Sequence, residues 1–118
     1  MIRVVLDTNV LVAALLNPLG APAQVLVFLM TDSDTQLCVS GPIFAEYEEV
    51  LGRPLFQRRK TESEAALRAI RAQALWVRPK EAVRACSDPD DDIFLECAQA
   101  TGAHYLITGN AKHSRRLV

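Results

Sequence analysis

The sequence predicts a three-layer α/β/α domain built on a mostly parallel sheet, and three observations carry that prediction. Short runs rich in β-branched and apolar residues alternate along the chain with longer amphipathic stretches, the pattern of strand, crossover helix and parallel strand. Half of the 118 residues are hydrophobic, so a chain of this length can bury a real core, and residues 1–118 read as one domain. Turn-forming Gly, Pro and Asn residues stand between the runs, with no repeats and no low-complexity linker.

The elements follow in order. The run Ile2-Arg3-Val4-Val5-Leu6 reads as a buried strand, and Asp7-Thr8-Asn9 before Val10-Leu11 reads as a helix start. Asn17-Pro18-Leu19-Gly20 breaks that helix, and 21–30 resumes as a second one with Pro22 tolerated in its first turn. Residues 36–40 form a short strand. Gly41-Pro42 opens a helix over 43–51, stopped by Gly52 and Pro54. Residues 61–74 are amphipathic, with Ala65, Ala66, Ala69, Ile70, Gln73 and Ala74 along one side and Arg68 and Arg71 on the other. A third strand at 75–77 ends at Pro79. A helix starts at Asp88-Pro89 and stops at Gly102, and the last clear strand is 105–108.

Several function classes are excluded on composition. No apolar run reaches the roughly 18 residues of a membrane span, the first strand begins too early for a signal peptide, and a cytoplasmic protein is the default expectation. Cys38, Cys86 and Cys97 lack ligand or disulfide spacing and read as small buried hydrophobes. His104 falls within the last strand and His113 in a basic tail, neither in a ligand pattern, and Trp76 and Tyr105 are expected in the core rather than as base-stacking platforms.

Charge is unevenly spread although the net is −1. From Arg53 to Arg84 there are nine bases (Arg53, Arg58, Arg59, Lys60, Arg68, Arg71, Arg78, Lys80, Arg84) against three acids (Glu62, Glu64, Glu81). The stretch from Asp88 to Glu96 then holds five acids and no base, and Lys112, Arg115 and Arg116 follow in the tail. Solvated helix faces explain part of this; basic segments on both sides of an acidic cluster also suit a polyanion.

Placing the acids on these elements sharpens the reading. Asp7 ends the first strand, where the plain alternative is that it caps the next helix. Glu46 shares a helix side with Ile43, Val50 and Leu51, which turns it toward the core, whereas Glu48 and Glu49 face solvent. Asp88, Asp90, Asp91 and Asp92 crowd one helix start. The helix dipole accounts for one or two of them, and the excess suggests a neutralising cation. Asp91 lies nearer the core than Asp90 and Asp92. Because the carboxyl edges of parallel strands lie on one side, Asp7, Glu46, Asp88, Asp91 and Asn110 can converge into a hard-oxygen site for Mg²⁺ or Mn²⁺.

These residues resemble a known family. The segments Val4-Val5-Leu6-Asp7-Thr8-Asn9-Val10-Leu11, Glu46-x-x-x-Val50-Leu51 with Arg53-Pro54-x-Phe56, Asp88-Pro89-Asp90-Asp91-x-x-Phe94-Leu95-Glu96-x-Ala98 and Tyr105-Leu106-Ile107-Thr108-Gly109-Asn110 look like PIN-domain ribonucleases. The closest likeness is to VapC-like toxins of toxin-antitoxin systems, and it covers nearly the whole chain. The resemblance implies catalytic acids at Asp7, Glu46 and Asp91, metal ligation by these three with Asp88 and Asn110, and support from Asn9 and Thr108. It implies hydrolysis of RNA by metal-activated water, leaving a 5′-phosphate and a 3′-hydroxyl. It implies an RNA substrate, a cognate antitoxin and a homodimer as partners, with no membrane. The chain departs from the family in the neutral Asn110, in Ser114 where Phe is expected, and in stopping short of the usual last strand and helix, so an edge strand is expected to be absent.

Rival readings fit less well. A haloacid-type phosphatase needs a second acid two residues after the first, where this chain has Asn9, and a receiver domain needs an acidic pair on the first strand. A PIN nuclease of RNA processing would carry the same residues as a toxin. A catalytically inactive PIN-like module that binds RNA or protein is disfavoured by the joint presence of Asp7, Glu46 and Asp91.

Overall fold

In a computed structural model, residues 1–78, 89–108 and 115–116 are described, with side chains for 1–78 and 93–108. Ile2–Leu6 (β1) leads into Thr8–Leu16 (α1) and Ala21–Thr31 (α2). Thr35–Ser40 (β2) is followed by Gly41–Leu51 (α3), a 3₁₀ turn at Pro54–Arg59, and Lys60–Gln73 (α4). Leu75–Val77 (β3), Pro89–Thr101 (α5), Tyr105–Ile107 (β4) and Arg115–Arg116 (β5) complete the order. The expected α/β architecture is thus present: β1 to β4 are parallel and flanked by helices, and β5 adds antiparallel to β4.

The strand order is β3-β2-β1-β4-β5. From β1 the chain winds outward to β2 and then β3; α5 then carries it back across β2 and β1 to place β4 on the other side. The order therefore reverses between β1 and β4, and in open α/β sheets ligands bind in the crevice at the carboxyl ends of such a pair.

Both sheet faces are covered, which is why Val4, Val5 and Leu6 of β1 and Leu37, Cys38 and Val39 of β2 are all buried with no polar alternation. They join Leu11 of α1, Ile43, Phe44 and Tyr47 of α3, Ile70 of α4, and Phe94, Cys97 and Ala98 of α5 in one core. Arg3 ties the amino end of β1 to α5 by donating from Nη1 to the Thr101 carbonyl at 2.6 Å, a cation on the carbonyl end of a helix. No single helix among the described residues is long and apolar enough to cross a membrane.

Four sequence expectations are corrected. Trp76 and Tyr105 are not core residues: they are 42% and 39% exposed. Trp76 sits on an edge strand, where only one face and one side are covered; it leans on Phe44 at 5.1 Å between ring centroids and donates its indole N–H to the Arg71 carbonyl at 3.0 Å. His104 precedes β4 instead of lying within it, and exchanges bonds with the Arg3 backbone: its N–H donates to the Arg3 carbonyl at 2.9 Å and its Nδ1 accepts from the Arg3 N–H at 3.2 Å. The inner side of α4 is rotated from the expected one, with Ser63 and Ile70 buried and Ala65 and Gln73 exposed, because a row of small alanines sets the stripe only loosely. The 3₁₀ turn was not expected, since Pro54 reads as a stop for α3 although its fixed φ also suits the first position of a new turn.

Candidate active site at the carboxyl edge of the sheet

The first carboxylate is placed by the end of β1. The Asp7 N–H donates to the Ile107 carbonyl at 2.9 Å, extending the β1–β4 ladder one residue beyond the strand. The chain then turns into α1, with Asp7 in extended conformation as its N-cap and the Asp7 Oδ1 accepting from the Asn9 N–H at 3.2 Å. Both readings of Asp7 therefore hold together: it caps a helix, and it stands half-buried at the lip of the sheet.

The second carboxylate comes from α3. Ser40, fully buried, ends β2 and caps α3 by accepting from the Ile43 N–H at 3.3 Å, while Pro42 occupies the first turn without costing a hydrogen bond. In the β1–β2 register Val5 pairs with Cys38, so Ser40 lies level with Asp7 two residues on, and α3 starts beside it. Ile43, Phe44, Tyr47 and Leu51 form the buried side, and Glu46 is half-buried next to them, as its spacing predicts. Glu48 and Glu49 point to solvent and pair with Arg71 at 3.8 Å and Arg53 at 2.8 Å, surface contacts of small energetic weight.

Two hydrogen bonds join these elements. The Thr8 hydroxyl donates to Glu46 Oε2, and the Tyr47 hydroxyl donates to the Leu6 carbonyl. Tyr47 is wholly enclosed, and its phenol is pushed well above the usual tyrosine range, first by burial, with the neighbouring Cys97, Asp7 and Glu46 adding to the rise. The two bonds link the chain on either side of Asp7 with Glu46 and Tyr47. Thr8, 5% exposed, and Tyr47 are the members of this group that sequence reasoning did not single out; the available signal was that each adjoins one of the acids along the chain.

Thr108 follows β4 and is half-buried; by the Leu6–Ile107 pairing it stands level with Asp7. Asn9 is exposed beside Asp7 in the first turn of α1. Asp91 falls in the first turn of α5, but its side chain lies outside the described residues, as do Asp88 and Asn110 in full, together with Cys86 and His113. Among the described residues no group of three or more His, Cys, Asp or Glu side chains stands together. Asp7 and Glu46 offer carboxylate oxygens, and hard oxygen donors are the kind that Mg²⁺ and Mn²⁺ take.

An α/β sheet whose strand order reverses beside a strand-end aspartate defines a class of proteins that act at the carboxyl edge of the sheet. Within that class the chain belongs to the PIN domain family, whose profile matches residues 3–112. PIN domains are in general nucleases, hydrolases that typically use divalent metals, and the match indicates a nuclease-type function. The chain is also 28% identical over 112 residues to the protein of Methanocaldococcus jannaschii named "Uncharacterized protein MJ1680", an alignment that covers 92% of this chain and 71% of that one. No solved structure matches it.

Proposed function

We propose that this chain is a Mg²⁺- or Mn²⁺-dependent endoribonuclease and the toxin of a toxin-antitoxin pair. The observation that supports the nuclease reading is the pair of bonds, Thr8 to Glu46 and Tyr47 to the Leu6 carbonyl, that link the chain around Asp7 with the chain around Glu46 at the sheet edge where the strand order reverses. In this reading Asp7, Glu46 and Asp91 would hold the ion, with Asp88 and Asn110 as further ligands and Asn9 and Thr108 in support. When bound, the ion would supply Lewis acidity to a water nucleophile and to the leaving oxygen. Asp7 brings a charge whose position is set by both a sheet ladder and a helix start, and Glu46 brings one whose orientation is set by Thr8. The basic run from Arg53 to Arg84 grips the phosphate backbone. An antitoxin would cover the acidic edge, with an Arg or Lys directed at the carboxylates, and RNA and a second copy of the chain complete the expected partners.

The test is cleavage of end-labelled RNA by the wild type and by Asp7→Asn. Asparagine caps a helix as well as aspartate and has nearly its volume, so the fold is retained. Cleavage is expected to fall by more than about a hundredfold, beyond what loss of an outer partner of a metal site costs. Undiminished cleavage by the folded variant, or products ending in a 2′,3′-cyclic phosphate, would exclude this site and this chemistry. The toxin assignment is tested separately: expression in cells should arrest growth in the wild type and not in Asp7→Asn, and a neighbouring gene for a small DNA-binding antitoxin should relieve the arrest.

A further inference from the structure

Two bonds in opposite directions connect the 6–8 segment with the 46–47 segment. Thr8, which follows Asp7, donates to Glu46; Tyr47, which follows Glu46, donates to the carbonyl of Leu6, which precedes Asp7. Each acid is thereby bracketed by a contact to the other acid's neighbourhood. The β1–β2 pairing ends at Val5 and Cys38, before either acid, and α3 begins only after Ser40. The Tyr47 ring is fully buried and packed edge-on to Phe44 at 6.4 Å, a fixed anchor for its hydroxyl.

We propose that Thr8 and Tyr47 are positioning residues: their reciprocal hydrogen bonds hold the Asp7 and Glu46 carboxylates at the separation and orientation of a preformed cation site before any ion arrives. The role rests on the reading of Asp7 and Glu46 as metal ligands. Tyr47 sets the distance between the turn after β1 and the second turn of α3. Thr8 sets the plane of the Glu46 carboxylate.

The experiment uses the full chain free of metal and two readouts. Scalar couplings across Glu46 χ1 report whether its side chain holds one rotamer, and calorimetric titration with Mn²⁺ reports the affinity. The wild type should show a single Glu46 rotamer; Thr8→Val, which keeps the shape and removes the donor, should show averaging; Thr8→Ser, which restores the hydroxyl, should return to one. Mn²⁺ should bind about ten- to a hundredfold more weakly to Thr8→Val and to Tyr47→Phe, and within about threefold of wild type to Thr8→Ser, the range seen for outer partners of metal sites. A merely structural role would lower the melting temperature without moving the χ1 couplings. If Tyr47→Phe does not fold, Thr8→Val decides alone. A Thr8→Val protein with one Glu46 rotamer and undiminished Mn²⁺ affinity overturns the proposal. A wild type that binds no Mn²⁺ overturns the metal reading instead, and the couplings still decide whether Thr8 orients Glu46.

Discussion

Burial of the Cys97 thiol pushes its pKa from the ordinary 9.0 up to about 12, with the nearby Cys38 adding to the rise, and burial raises Cys38 as well. Both thiols face each other's elements across the α5 side of the sheet and stay protonated in the folded protein. Above pH 9 the unfolded chain releases the Cys97 proton while the folded chain keeps it, so folding stability falls as pH rises from about 9 toward 12. The loss should appear as a lower urea midpoint at pH 10.5 than at pH 8, and Cys97→Ala should flatten part of that slope. A midpoint equally pH-dependent in the variant would assign the effect to other groups, among which Tyr47 also titrates high. At this scale the sequence exposed the acids but not what they touch. Asp7 and Glu46 could be placed because strand ends and helix periodicity are local; the Thr8 bond to Glu46 spans 38 residues of chain and depends on how α3 is aimed.

Helix ends were the most legible feature of the elements. Gly102 stops α5 at φ +64, in the left-handed region, with the Ala103 N–H bonded to the Ala98 carbonyl at 2.8 Å and the Gly102 N–H to the Gln99 carbonyl at 3.3 Å, the Schellman pattern. An added Cβ there meets nothing within 4 Å, so Gly102→Ala isolates the backbone cost. It should destabilise by about 1 kcal/mol in urea unfolding. An unchanged midpoint would mean that α5 can end another way. Pro22 and Pro42 at the starts of α2 and α3 were equally readable, since each keeps its meaning wherever the helix packs. What escaped was rotation about a helix and the side of a strand. The alanine-rich α4 could present several faces, and nothing in Leu75-Trp76-Val77 marks β3 as the edge that leaves Trp76 exposed.

For the whole molecule, strand order decides where chemistry can occur, and order follows from the direction of each crossover, which no short segment encodes. The alternation of elements predicted a parallel sheet, and the position of Asp7 at a strand end predicted the edge; that β1 lies between β2 and β4 came only with the fold. On the proposed function the reversal point faces RNA while the surplus of bases from Arg53 to Arg84 contacts phosphates. The affinity of Asp7→Asn for a single-stranded oligoribonucleotide should therefore fall with salt, by about 0.7 in log–log slope for each phosphate contacted. Salt-independent affinity would remove the basic run from the interface.

Residue 7 ends a strand and begins a helix through the same carboxylate, and the Asn9 amide leans on its Oδ1 at 3.2 Å. Whatever later draws on that oxygen must loosen or polarise this amide. The Asn9 nitrogen–proton resonance thus becomes a reporter already built into the chain, through which occupancy can be followed without a substrate or a turnover.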